Sequence, residues 1–270
     1  MNKLFLKAPA KLNLHLQVID KRSDGFHNIS SFFTLISLYD EINIKLISNQ
    51  IVLKEEKPIE NNLVLKAANL LKYISGTKKG AEIELLKRIP DQAGMGGGSS
   101  DAATTLVGLN NLWNLNLSKK ELLKIGLELG SDIPFFINGK SSWVEGRGEI
   151  FSTANINEHW YVLFFPKTKI STQLAFKNLT INNEPQITKE EFLNGNSMNS
   201  FYPWVIDNYI EINALVKKLK NFGNPQLTGT GSTIFLACKT KQLAEKIILE
   251  LSEGFLVKSL HDSPLLDILE

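Results

Sequence analysis

The chain has 270 residues, 43% of them hydrophobic, enough for a sizeable core in one large domain or two modest ones. Thirty basic residues against 28 acidic ones leave a formal charge of +2, too balanced for the footprint of nucleic-acid or membrane-surface binding. The single cysteine, Cys238, lies in the apolar run TIFLAC and cannot form an intramolecular disulfide, which fits a reducing cytoplasm.

Lys3, Lys7 and Lys11 interrupt the first apolar residues, so no secretory h-region is visible. Apolar runs such as Trp160 to Phe165 fall far short of the roughly 18 residues of a membrane span. A soluble cytoplasmic protein is expected. From Lys11 the chain alternates strictly, with Leu12, Leu14, Leu16 and Val18 on one face and Lys11, Asn13, His15 and Gln17 on the other. That is a strand with a polar face. Ile42, Ile44 and Leu46, then Ile83 and Leu85, mark further strands, and Leu63, Ala67, Leu70, Leu71 and Ile74 form a helical stripe. Ser118 and Glu121 are spaced as a capping box for a helix ending at Gly130. In SDIPFF, Ser131 or Asp132 caps a new helix with Pro134 in its first turn. EGRGE, from Glu145 to Glu149, reads as a turn where the first half of the chain could end. Beyond it lie the strand YVLFF, helical pieces from Thr172 and Thr188, and a helix from about Asn208 to Asn221. A strand, an amphipathic helix and a last strand follow between Thr233 and Leu260. The Asn-rich stretch from Thr180 to Ser200 reads as a loose surface connection.

Chemistry concentrates in IPDQAGMGGGSSDAATTLVGLN. Glycines 94, 96, 97 and 98 permit positive φ and close approach of backbone N–H groups to an anion, and a helix starting near Ser99 and Ser100 adds its dipole. The run predicts a phosphate cradle; a strand-to-helix turn that binds nothing is the minority reading. It is neither a Walker A loop, since no Gly-Lys-Ser/Thr follows, nor a dinucleotide fingerprint, since Ser99 stands where a third spaced glycine would fall. Gly229 and Gly231, in LTGTGSTIF, precede a strand and, paired with the first loop, could bring backbone N–H groups to the far side of the same phosphate chain; a hairpin turn explains them about as well. Phosphoryl transfer also needs a proton acceptor and positive charge. Asp132 and Lys11 are candidates, although a helix cap and a solvated lysine are the stronger readings of each taken alone. Phe26 and His27 offer a ring and an imidazole in one Gly-containing turn, suited to a base's face and edge; a core phenylalanine and an ordinary loop histidine compete. The four histidines and one cysteine show no zinc-ligand spacing.

Three ordered strings, KAPAKLNLHL, IPDQAGMGGGSSDAA and LTGTGSTIF, resemble the GHMP kinase superfamily. Within it, PAKLNLHL, RSDGFHNISSFFTLISLYDEI, GGGSSDAA and GSDIPFF are most similar to the family of 4-diphosphocytidyl-2-C-methyl-D-erythritol kinases. The resemblance implies an α+β, two-domain fold: an N-terminal domain with a left-handed βαβ unit over residues 1–152, a ferredoxin-like C-terminal domain over 153–270, and an active site in the cleft between them. It implies transfer of the γ-phosphoryl of ATP, with Mg²⁺, to the 2-hydroxyl of a cytidine diphosphate-linked methylerythritol; no protein partner is implied, and the charge balance and hydropathy nominate no nucleic acid or membrane.

By the same resemblance Asp132 takes or orients the hydroxyl proton, Lys11 contacts that aspartate and the reacting centre, and Asn13 contacts substrate. Pro90, Ala93, Gly94, Met95, Gly96, Gly97, Gly98, Ser99 and Ser100 would hold the phosphates, with Asn62, Leu63 and Lys87 around the adenine. His27 would read the cytosine edge between Phe26 and Phe176, with Thr172 one turn before Phe176, and Gly229 and Gly231 beside the substrate. Phe26 stands where the family usually has tyrosine, and Met95 where leucine is usual. A GHMP kinase with another alcohol acceptor, or a catalytically dead binding module, are the alternatives.

Overall fold

The structure, a computed structural model, describes residues 2–154, 156–181 and 185–269. Strands β1 (Lys3–Lys21) and β2 (His27–Ser48) form a long antiparallel hairpin. Its turn closes because Gly25 takes φ +86° while Arg22 N donates to Phe26 O at 2.8 Å. β3 (Ile51–Glu55), α1 (Leu63–Ser75) and β4 (Lys79–Leu86) follow as a βαβ unit with β3 parallel to β4. Next come α2 (Gly97–Trp113), α3 (Lys119–Leu129), α4 (Ile133–Asn138) and the hairpin β5 (Ser142–Gly146) to β6 (Ile150–Thr153).

The second half starts with β7 (Trp160–Phe164) and four helices, α5 (Thr172–Lys177), α6 (Lys189–Leu193), α7 (Tyr202–Asn208) and α8 (Ile210–Leu219). β8 (Gln226–Leu227), β9 (Ile234–Cys238), α9 (Lys241–Leu251) and β10 (Phe255–Leu260) complete it. The order β10-β7-β9-β8 makes these four strands, counted along the chain, a 4-1-3-2 sheet of the ferredoxin-like kind.

One strand joins the halves. β2 pairs along one edge with β1, while its other edge serves β5, β10 and β4 in succession. One core lies under α1 to α4 and includes Ala67, Ala68, Ala102, Leu106, Ile44 and Ile83. A second, with Val162, Ile212, Val216, Ile234 and Ile247, fills the C-terminal half. At the seam Ala10, Leu12, Tyr161 and Phe235 pack beneath Ile89, Ala93 and Met95. Each large side chain buried there contributes about 1.5–3 kcal/mol, so the loop from Pro90 to Gly98 rests on a packed floor.

Several expectations hold in detail: Ser118 and Glu121 form both bonds of the capping box, and Pro134 stands in the first turn of α4 behind Asp132. Others change. The stripe of α1 is rotated, burying Val64, Ala67, Ala68 and Leu71 and leaving Ile74 exposed, because two alanines let α1 lie close to α2. The helix expected from about Asn208 is α8, but a further helix not expected from the sequence, α7, is entered through Pro203 just before it and is divided from it where Tyr209 is extended at φ −124°. The polar face of β1 is not solvated: Lys11, Asn13, His15 and Gln17 are all buried. A register shift between Asn13 and His15 divides them, leaving the first two at the cleft and the last two under the segment from residue 185 to 200.

That segment was expected to be loose. Residues 182–184 lie outside the described residues, but the remainder is docked on β1. Gln17 donates to Pro185 O at 3.1 Å and accepts from Ile187 N at 2.9 Å, and Leu16 N donates to Met198 O at 2.8 Å. Phe192 covers the rings of His15, Trp143 and Phe32.

Candidate active site

A cavity of about 670 Å³ opens where β1, the loop before α2, the turn after β8 and the start of α5 meet. One wall is backbone. Gly94 and Gly96 hold φ of +74° and +69°. A Cβ on Gly94 would stand 2.2 Å from Thr228 O, and one on Gly96 2.9 Å from the Phe136 ring. Gly96 caps α2 without a side-chain bond, and Gly97, Gly98 and Ser99 face the cavity. Unpaired N–H groups and a dipole worth about 0.3–1 kcal/mol to an anion suit this end of α2 to an anionic group.

Across from it, Lys11 is 4% exposed. Its Nζ donates to Asn13 Oδ1, lies 4.2 Å from the Phe33 ring centre, and stands 3.8 Å from the Asp132 carboxylate. That last separation is too long for a hydrogen bond, so both groups are left to face a reacting oxygen placed beside them. Burial lowers the Lys11 pKa, opposed by Asp132. Asn13 is fixed by Nδ2 donating to Ser31 Oγ at 3.1 Å. Asp132 makes no capping bond, and its side chain is 35% exposed at the cavity mouth. Neither a solvated lysine nor a capping aspartate describes this pair.

The third wall is aromatic. His27 stacks on Phe176 at 4.8 Å between centroids, Phe176 meets Phe201 edge-on at 4.9 Å, and half-exposed Phe26 carries the Arg147 guanidinium 4.3 Å from its ring centre. Burial, helped by Lys21 and opposed by Asp20, lowers the His27 pKa, favouring a neutral imidazole with one N–H and one lone pair. Thr172, at the start of α5, has its hydroxyl 3.3 Å from that of Thr230.

Beside the loop, the Lys87 ammonium is shared between the buried carboxylates of Asp40 and Asp101, the latter at 2.7 Å. Asp40 also accepts from Ile89 N at 2.8 Å, which anchors the chain entering the loop. Burial alone would lower the Lys87 pKa, but Asp101 and Asp40 raise it. Burial pushes Asp101 up to about 7 against the pull of Lys87.

Every site residue expected from the sequence lines this cavity except Asn62, Ser100 and Gly231. Asn62 caps α1, its Oδ1 accepting from Val64 N at 2.9 Å and its Nδ2 donating to Glu55 at 2.6 Å. Ser100 is fully buried, one residue past the exposed end of α2. Gly231 faces the side chains of Ile170 and Leu227. Sequence reasoning missed Arg147, Phe201, Thr228, Asn199 and the two carboxylates, Asp40 and Asp101, that hold Lys87. Arg147 was visible only as part of a turn, and Asn199 lay in the stretch expected to be loose. Asp101 stood inside the glycine motif with no local sign that it faces Lys87.

Cleft, glycine cradle and two-part α+β architecture define a small-molecule kinase of the GHMP type. The family of GHMP kinases N terminal domains matches residues 62–140, and that of GHMP kinases C terminal domains matches residues 189–256. The 4-diphosphocytidyl-2-C-methyl-D-erythritol kinase of Psychromonas ingrahamii is 41% identical, covering 97% of this chain and 95% of that protein. Its counterpart in Shewanella loihica is 38% identical, covering 96% and 94%. A crystal structure of 4-(cytidine 5'-diphospho)-2C-methyl-D-erythritol kinase superposes with a TM-score of 0.80 at 27% identity, over 95% of this chain and 99% of that one. A mevalonate kinase shares the fold alone, with a TM-score of 0.73 at 17% identity over 96% and 100%. The chain belongs to the 4-diphosphocytidyl-2-C-methyl-D-erythritol kinase family and, as a kinase of that family, takes its phosphoryl group from ATP. Among the described residues no helix is long and apolar enough to cross a membrane.

Proposed function

We propose that the chain phosphorylates the 2-hydroxyl of 4-diphosphocytidyl-2-C-methyl-D-erythritol, giving the 2-phosphate and ADP in non-mevalonate isoprenoid synthesis. The observation carrying this reading is that one cavity has the Gly94–Ser99 cradle on one side, Lys11 and Asp132 in the middle, and Phe26, His27 and Phe176 on the other. ATP phosphates lie along the cradle, and the adenine lies toward Leu63 and Lys87. The cytosine enters against Phe26 and Phe176, with one ring nitrogen of the neutral His27 making a hydrogen bond to its edge. The acceptor hydroxyl reaches a point facing both Lys11 and Asp132. Its oxygen forms the new bond to the γ-phosphorus as the bond to the β–γ bridging oxygen breaks. Its proton passes to Asp132, while Lys11 offsets charge on the moving phosphoryl.

The nucleotide's Mg²⁺ fits as a phosphate-held ion. Among the described residues no three His, Cys, Asp or Glu side chains cluster to hold a metal, and Mg²⁺ commonly relies on substrate phosphates with one or two carboxylates. Ser99, which lines the cavity at the start of α2, would offer it a hydroxyl. Bound there, Mg²⁺ would neutralise charge on the β- and γ-phosphates.

Phosphorus NMR of the protein with Mg-ATP and the cytidylated substrate should show a new phosphomonoester. Asp132→Asn should fold normally and turn over roughly 100- to 10,000-fold more slowly, the span of a positioned general base. Near-normal turnover would reject the assignment.

A further inference from the structure

The two glycine-rich turns and strand β1 meet at one hydroxyl. Thr228 is fully buried, accepts a hydrogen bond from Asn13 N at 3.0 Å and donates to Gly94 O at 3.1 Å. Asn13 Oδ1, at 3.4 Å, is the weaker acceptor for the hydroxyl's single proton. The two turns touch through their backbones: a Cβ on Gly229 would stand 2.9 Å from Gly94 O. From the other side, Asn199 Nδ2 donates to Leu227 O and Gly229 O at 2.9 Å each, which fixes the turn carrying Thr228. Two residues before Asn13, Lys11 N donates to Met95 O at 3.0 Å. Gly229 and Thr230 line the cavity, whereas the Thr228 side chain does not.

We propose that Thr228 is a positioning residue whose hydroxyl sets the spacing between the strand bearing Lys11 and Asn13 and the loop that seats the ATP phosphates. This rests on Lys11 and Asp132 being the reacting pair. The hydroxyl bonds the Gly94 carbonyl and not the N–H groups of Gly97 to Ser99 at the end of α2, so its removal leaves those donors to the phosphates in place. What changes is the distance across which the phosphoryl must travel. A displacement of about 1 Å from a group remote from the chemistry can cost about 100-fold in rate. The effect therefore falls on kcat.

Two variants separate hydroxyl from shape. Thr228→Val keeps the branched shape and removes the hydroxyl; Thr228→Ser keeps the hydroxyl and removes the methyl. Steady-state kinetics with Mg-ATP and the cytidylated substrate should show kcat of the Val variant down roughly 10- to 100-fold, with both KM values within about threefold and the Ser variant within about threefold of wild type. Hydrogen exchange at residues 11–14 and 90–96 should be faster in the Val variant and unchanged in the Ser variant. A Val variant at wild-type kcat, a Ser variant impaired as deeply, or an effect confined to KM overturns the proposal. Should the Val protein not fold, the Ser variant decides: a kcat more than about threefold below wild type overturns the proposal, and one within that range upholds it. The two readings fail differently. A wild type that does not phosphorylate this substrate but shows the exchange contrast loses the substrate assignment and keeps the role of Thr228. An active wild type without any Val–Ser contrast does the reverse.

Discussion

The glycine wall and the aromatic wall of the cleft are made of different material. The glycine wall is main chain, held by positive φ at Gly94 and Gly96 and by a floor in which Met95 is 1% exposed. The aromatic wall is side chains brought from the β1–β2 turn and from α5, with His27 resting on Phe176 and the Arg147 guanidinium lying over Phe26. A planar ring entering against Phe176 on that face would have to displace His27. An added atom therefore threatens the first wall most, and a lost ring the second.

Gly94→Ala attacks that contrast hardest. The new methyl meets a backbone oxygen at 2.2 Å on a residue with positive φ, and a backbone atom cannot swing aside. Displacement of the loop should lower turnover at least about 100-fold; normal turnover and an unchanged KM for ATP would show that the main-chain wall is adaptable after all. Phe176→Ala should be milder and confined to the other wall. Base–aromatic stacking is worth about 1–3 kcal/mol, so KM for the cytidylated substrate should rise roughly 5- to 100-fold with KM for ATP unchanged. Equal rises in both would erase the division between the walls.

The smallest effect on turnover is expected at His15, which belongs to neither wall. Its Nδ1 accepts from Met198 N at 3.2 Å, and burial holds its pKa down to about 4. The unfolded chain takes up the proton near pH 6.5, the folded protein only near 4. This contribution to stability is therefore whole above 6.5 and is lost as pH falls toward 4. Between pH 7 and pH 5 the loss is about 2 kcal/mol. Urea unfolding at the two pH values, compared with His15→Phe, isolates it. Identical pH dependence in the two proteins would remove His15 as the cause.

The same contrast explains what was legible in the sequence. A main-chain wall writes itself locally, as glycines at fixed spacing before a capped helix, so the cradle and the start of α4 could be located from neighbouring residues alone. The alternation of β1 placed Lys11 and Asn13 together, but nothing local showed that this polar face would be buried, or that a register shift would send His15 and Gln17 elsewhere. Asn62 sits beside the correct element yet spends its side chain on a helix cap. Thr228, Asn199 and Arg147 act through partners far away in the chain, and short-range pattern carries no trace of those contacts.

The pairing of β10 with β2 has a consequence for how the protein comes into being. Ser259 and Leu260 lie against Ile36 and Leu35, Ser263 N donates to Gly139 O at 2.7 Å, and Leu260, Ile268 and Leu269 pack on the first core. A nascent chain on the ribosome has its glycine loop, Lys11 and Asp132 outside long before those residues emerge. Until then β2 keeps an unpaired stretch of edge between its partners β5 and β4, open to any other strand. Sealing of the N-terminal half thus waits for β10 to be translated, and the chain's early residues depend on its late ones.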